Sequence, residues 1–144
     1  SAIREIDDRH MITVGVIPWA QVFKGAKPLF HSPEAGATLD FVSIHLYPKA
    51  GKLEDDLAAL KAYEVGKPLV IEEIFPLPAG PEETMAFIEK TRPLVDGWIS
   101  FYWGASIEAN EAKKTIAGAI TADWLKRFRD AAPRAQASDP SRGQ

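Results

Sequence analysis

The sequence contains no cysteine, and this absence excludes several classes of site. A chain of 144 residues without cysteine has no disulfide bond, no zinc site built on thiolates, no iron–sulfur cluster and no cysteine nucleophile. Histidine is scarce as well, with only three residues in the chain. They lie at positions 10, 31 and 45, which is not the spacing of metal ligands. His10 and His31 are predicted to be loop or surface residues. The sequence therefore predicts no metal site.

An excess of positive charge, long apolar runs and glycine-rich loops are also missing. The chain has 17 Lys and Arg against 20 Asp and Glu, a net charge of −3, so it has no basic surface for nucleic acid. No apolar run approaches the roughly 20 residues of a transmembrane helix. No glycine-rich loop follows a predicted strand, which argues against a phosphate cofactor. We expect no nucleic acid, membrane or cofactor among its partners.

Four short runs rich in β-branched and aromatic residues predict β-strands. They begin at steps of 29, 28 and 29 residues, about the length of a strand with a returning helix. This spacing predicts an α/β fold made of parallel (β/α) units. The four predicted strands are Ile12–Ile17, Phe41–Tyr47, Leu69–Glu73 and Trp98–Trp103.

The segments between these runs have apolar residues at helical spacing and residues typical of helix caps, which predicts helices. The longest helix, Thr115–Ala131, should bury a stripe of Ile116, Ile120, Trp124 and Phe128. Two architectures fit: a small doubly wound sheet, or four consecutive units of an eight-fold (β/α) barrel. In either, residues 1–132 form one domain and residues 133–144 a disordered tail. Further helices are predicted over 53–63, from Pro81 to near Pro93, in a short stretch from Ser32, and as the end of a helix over 1–10.

Side-chain alternation places polar groups at the ends of the second and third strands. Val42, Ile44 and Leu46 form a purely aliphatic face, so His45 and Tyr47 lie on the other face, at the rim where barrel enzymes keep their active sites. The alternative is a buried, hydrogen-bonded His and Tyr.

The third strand runs into two adjacent carboxylates, Glu72 and Glu73. Strict alternation puts Glu73 inward on the face of Leu69 and Ile71, and it turns Glu72 the other way. A carboxylate in that position needs a partner or a function, because burying it unpaired is costly. A salt bridge to a nearby Lys or Arg is the structural alternative.

The fourth strand ends in aromatic residues. Trp103, at its end, is a candidate for stacking on a sugar ring, whereas Trp98 is predicted to belong to the core.

Together these segments resemble strands five to eight of a family 5 glycoside hydrolase, the cellulase and mannanase family, or of a close clan A relative. Residues 10–15 resemble the fifth strand, and the sixth to eighth strands correspond to residues 40–48, 67–73 and 97–104. The resemblance implies the C-terminal half of a (β/α)8 TIM barrel. Glu72, Ile74 and Phe75 depart from the residues that are common at these positions in the family.

The resemblance assigns a role to four residues. Glu73 would be the catalytic nucleophile that forms a glycosyl-enzyme intermediate. His45 would line the subsite at the cleaved bond, Tyr47 would hydrogen-bond the nucleophile, and Trp103 would stack under the sugar. The substrate would be a β-linked oligo- or polysaccharide.

A retaining glycosidase needs a second carboxyl group as its general acid/base. In the family this is a Glu after an Asn at the end of strand four, and Asn110-Glu111, expected in a loop after the last strand, does not match it. We therefore expect the isolated chain to be inactive and to need a missing N-terminal half-barrel or self-association. A non-catalytic carbohydrate-binding or vestigial half-barrel and a small flavodoxin-like domain stay open as alternatives. Analogy with the family suggests secretion or a periplasmic location.

Overall fold

The computed structural model describes residues 2–23 and 25–132, which fall into two compact units. The first unit contains the described residues up to Tyr102, and the second begins at Trp103. The predicted tail, residues 133–144, lies outside the described residues.

The first unit contains a four-stranded parallel sheet. Its strands are β1 (Gly15–Val16), β2 (Val42–His45), β3 (Leu69–Ile74) and β4 (Gly97–Ser100), and they lie in the order β1-β2-β3-β4. Helices alternate with the strands along the chain, so the predicted α/β fold with a parallel sheet is confirmed. Each strand lies beside its predecessor in sequence, which differs from the order of doubly wound sheets.

The helices α1 (Trp19–Val22), α2 (Leu53–Leu60) and α3 (Pro81–Thr91) belong to this unit, and α2 contacts both of the others. Pro81 occupies the start of α3 because proline at the first helical turn loses no intrahelical hydrogen bond. Single turns of 3-10 helix span Leu29–His31 and Lys61–Tyr63.

The hydrophobic core consists of one face of the sheet and the buried sides of α2 and α3. Val42, Ile44 and Leu46 of the β2 segment are completely buried, as the alternation predicts. The same core contains Leu60, Tyr63, Leu69, Ile71, Ile74, Phe87 and Ile88. The side chain of His45, which alternates with this aliphatic face, lies on the other face of the sheet and is partly exposed.

Several predicted boundaries were wrong. The first strand shortens to two residues. Before it, side chains add to a backbone hydrogen bond between Asp40 and Ile12: the Asp40 carboxylate accepts from the Ile12 backbone N–H at 2.5 Å, and the Thr13 hydroxyl donates to the Phe41 carbonyl at 2.8 Å. Residues 2–6 and the stretch after Ser32 form turns and not helices. The Ser32 hydroxyl accepts from the Ala35 N–H, as a helix cap would, but no helix follows.

The second unit contains two helices in its described part, residues 103–132: α4 (Ile107–Ala112) and α5 (Ile116–Ala131). The Ser106 and Thr115 side chains cap them by accepting from backbone N–H groups. α4 corrects the expectation that Asn110-Glu111 lies in a loop. The predicted stripe of α5 is right at Trp124, which is completely buried, and at Phe128, which is half-buried. It is wrong at Ile116 and Ile120, which are exposed; Gly118 and Ala122 are buried instead.

Candidate active site

A β-bulge in β3 shapes the end of the sheet where the predicted site lies. Ile44 pairs with Ile71, but the next residue of β2, His45, pairs with Glu73, so β3 contains one extra residue. The pairing with β4 shows the same insertion, because Ile71 pairs with Trp98 and Ile74 with Ser100. A bulge of this kind re-aims side chains, and such bulges are frequent next to active sites.

The bulge overturns the prediction that Glu72 and Glu73 point to opposite faces. Ile71 and Ile74 are both completely buried although they lie three residues apart, which strict alternation would forbid. The two glutamates between them therefore both reach the other face of the sheet. Leu69 and Ile71 pair with Val42 and Ile44 on the core face, so Glu73 does not share their face either. The clue in the sequence was an aliphatic residue on each side of an adjacent carboxylate pair.

The imidazole of His45 lies between the two carboxylates. Its Nε2 is 2.9 Å from Oε1 of Glu72, and its Nδ1 is 3.3 Å from Oε2 of Glu73. All three side chains are partly buried, with 32% of His45 and 23% of each glutamate exposed, so solvent or a ligand can reach them. The structure thus brings His45 and Glu73 together and adds Glu72.

Tyr47 completes the cluster from the loop after β2. Its hydroxyl donates a hydrogen bond to Oε1 of Glu73, the oxygen that His45 does not contact. Burial raises the pKa of the Tyr47 hydroxyl, and the hydrogen bond to Glu73 and the charge of Glu73 raise it further. Tyr47 therefore keeps its proton at neutral pH and remains a donor.

A buried carboxylate, Asp56 of α2, anchors the loop that carries Tyr47. Asp56 is 1% exposed; its Oδ1 accepts from the Gln21 side-chain amide at 2.8 Å and its Oδ2 from the Lys49 backbone N–H at 2.7 Å. The same Gln21 amide donates to the Tyr47 carbonyl at 3.0 Å. Neither residue was predicted from the sequence; Asp56 lies in the first turn of a helix, where acidic residues normally face solvent.

One aromatic residue in the continuation of β4, Phe101, borders the cluster in the first unit, whereas Trp98 pairs with Ile71 on the core face. The ring of Phe101 is 56% exposed and meets that of Tyr47 edge to face at 6.4 Å. Trp98 is half-buried beneath the Arg92 guanidinium, which lies 5.8 Å above its ring. Trp103 begins the second unit with a fully exposed side chain, so its role at the site stays a prediction.

The two remaining histidines differ from each other. His10 is exposed and faces Asp7, with its Nδ1 2.7 Å from Oδ2. His31 is 3% exposed and faces the Ser43 carbonyl, so its prediction as a loop or surface residue was wrong. Burial lowers the pKa of His31.

Within residues 2–23 and 25–132, no group of three or more His, Asp or Glu side chains has the arrangement of a metal site. No helix in this part of the chain is long and apolar enough to cross a membrane. Comparison of the chain with protein-family models, with curated proteins and with solved structures gave no match.

Proposed function

We propose that this chain is the nucleophile-bearing portion of a retaining β-glycoside hydrolase that acts on a β-linked glucan, mannan or related glycan. One observation supports the proposal above the others. At the carboxyl end of a parallel strand, Glu73 presents a carboxylate whose two oxygens face different groups, the Tyr47 hydroxyl and the His45 imidazole. This is the arrangement that a carboxylate nucleophile needs, because it is held in one orientation and remains partly exposed.

The chemistry requires little movement of the chain. An oxygen of Glu73 would attack the anomeric carbon, forming an ester bond while the glycosidic bond breaks. Tyr47, whose raised pKa keeps it protonated, would stabilise the carboxylate before attack and after the sugar leaves. The departing oxygen needs a proton from a second carboxyl group.

The general acid is assigned to a partner half-barrel. The order β1-β2-β3-β4 is that of successive barrel units, and β1 and β4 are the edge strands of the described sheet. A second half-barrel that pairs with these edges would close the barrel and bring the acid/base to the face where Glu73 lies. An N-terminal half-barrel fits this role better than a second copy. In a symmetric dimer the two Glu73 residues would be four strands apart, whereas the carboxylates of the family are three strands apart.

Covalent labelling tests the proposal without the acid. A 2-deoxy-2-fluoro-β-cellobiosyl fluoride, or its mannobiosyl analogue, loses fluoride without protonation, and its glycosyl-enzyme is hydrolysed slowly and accumulates. We expect a slow mass increase of one glycosyl unit on the intact chain, with the modified residue located at Glu73 by peptide mass spectrometry.

Two variants control the labelling experiment. Glu73→Gln should remove the label, whereas Glu34→Gln, the same chemical change at an exposed turn residue, should leave it unchanged. Absence of label with both probes would refute the assignment of Glu73. Glycan binding without label would favour the non-catalytic carbohydrate-binding alternative, to which exposed aromatic rings such as that of Phe101 are suited.

A further inference from the structure

The carboxyl group of Glu72 occupies a space that a glycine leaves open. A Cβ atom on Gly15 of β1 would overlap Oε1 of Glu72 and would lie 2.9 Å from its Cδ and 3.0 Å from Nε2 of His45. The side chain of Glu72 thus extends across β2, from its own strand to the far side of the histidine. Gly15 is not among the glycines with positive φ, so space and not backbone conformation is what requires a glycine there.

The two ring nitrogens of His45 face two different carboxylates. Nε2 is hydrogen-bonded to Oε1 of Glu72 at 2.9 Å, and Nδ1 lies at ion-pair distance, 3.3 Å, from Oε2 of Glu73. A neutral imidazole carries hydrogen on one nitrogen only, so its other nitrogen would direct a lone pair at a carboxylate oxygen. The arrangement therefore favours hydrogen on both ring nitrogens. If Glu72 were absent, a neutral ring with its hydrogen on Nδ1 would be enough for the contact with Glu73, and Nε2 would need no hydrogen.

We propose that Glu72 is a positioning residue that acts through His45: its contact with Nε2 holds the imidazole doubly protonated and oriented so that Nδ1–H faces Glu73. Gly15 is the residue that makes room for the Glu72 carboxyl group. The cluster of Glu72, His45 and Glu73 then has a net charge of −1, with the imidazolium ion between the two carboxylates. The consequence for catalysis rests on the proposed function, whereas the position and protonation of His45 do not.

Glu72 is unsuited to serve as the missing general acid in this arrangement. Its Oε1 is directed at the histidine, and Gly15 of β1 lies against the same carboxyl group. His45 lies between the two carboxylates, where the glycosidic oxygen would have to be.

Nitrogen NMR of the histidine rings provides the test. The chain has three histidines, so long-range ¹H–¹⁵N spectra of the ¹⁵N-labelled protein at pH 7 resolve each ring, and a His45→Gln variant assigns the His45 signals. We expect the signals of both His45 nitrogens to have the chemical shifts of protonated nitrogen. A wild-type ring with one bare nitrogen would overturn the proposal.

Three variants separate positioning from general stability. Glu72→Gln should change the His45 signals to those of a singly protonated ring, and Gly15→Ala should do the same although it retains Glu72. The double variant should resemble the single variants, because both remove the same contact. Glu34→Gln should leave the His45 signals unchanged, and the buried His31 reports in every variant whether the fold persists. If the His45 signals stay unchanged in both single variants, the proposal is refuted; if Gly15→Ala does not fold, Glu72→Gln alone decides.

The labelling experiment separates this proposal from the function. Loss of an orienting contact should slow labelling of Glu73 about 10- to 100-fold in Glu72→Gln. If His45 behaves as expected but the wild type is never labelled, the proposed function fails and the positioning role stands. If labelling occurs at the wild-type rate in Glu72→Gln, the catalytic consequence is wrong.

Discussion

Replacement of the buried Asp56 should destabilise the first unit more than any other single change to an acidic side chain. Its two oxygens accept from Gln21 at 2.8 Å and from the Lys49 backbone N–H at 2.7 Å. A hydrogen bond to a charged group contributes about 1.5–3 kcal/mol. Asp56→Ala removes two of them, and because Gln21 and Lys49 lie near enough to the surface to regain water, we expect a loss of about 3 kcal/mol in the free energy of unfolding.

Asp56→Asn separates the two contacts. The amide oxygen can accept from one donor, but its NH2 group then faces the other donor, so we expect about half of the loss, roughly 1.5 kcal/mol. Gln21 cannot compensate by turning its amide, because its NH2 group also donates to the Tyr47 carbonyl.

Asp55→Asn is the matched control for this prediction. Asp55 is the neighbouring residue in the first turn of α2, with 78% of its side chain exposed and Lys52 at 3.7 Å, so its replacement should cost less than about 0.5 kcal/mol. Urea unfolding followed by tryptophan fluorescence at pH 7 measures all three variants. If Asp56→Ala and Asp55→Asn have equal stabilities, with unchanged dependence on urea, the anchoring role of Asp56 is refuted.

Three further predictions concern the rest of the chain. Burial lowers the pKa of His31, so as the pH falls His31 is protonated in the unfolded chain before it is protonated in the native chain. The free energy of unfolding should therefore decrease as the pH drops below about 6.5, until the native His31 is protonated as well. Urea unfolding at pH 7.5 and 5.5 measures this decrease, and His31→Gln should remove the part that is due to His31. Gly118→Ala should destabilise α5 by about 1–3 kcal/mol, because its Cβ would lie 2.5 Å from the Asn110 carbonyl oxygen, and a higher melting temperature would contradict this close contact. Ile71→Ala should cost about 2–5 kcal/mol because the side chain is completely buried, whereas the exposed Ile99→Ala should cost less than about 0.5 kcal/mol in the same assay.

The hydrophobic period and the residues typical of helix starts correctly predicted the positions of the longer helices and the buried face of β2. The alternation of Val42, Ile44 and Leu46 predicted a buried face, and proline at position 81 marked the start of α3. Short elements were missed because they depend on few local interactions. α1 is a single turn without a side-chain cap, and α4 was missed although Ser106 caps it.

Three of the four predicted site residues lie together, but the geometry of the cluster was not predicted. His45, Tyr47 and Glu73 do meet, because parallel strands bring their carboxyl ends to one edge. Glu72 was placed on the wrong face because strict alternation assumes an uninterrupted pairing register. Gln21 and Asp56 were missed because their contact joins residues 35 positions apart.

The sequence by itself determined the class of fold, the order of its (β/α) units and the strand ends where the polar residues concentrate. These features depend on the hydrophobic period of each segment, which local sequence expresses directly. The tertiary structure alone decided the bulge in β3, the insertion of Glu72 beside Gly15 and the burial of His31. Each of these depends on how neighbouring strands and loops pack against one another, and the free energies of such long-range contacts are not present in any one segment.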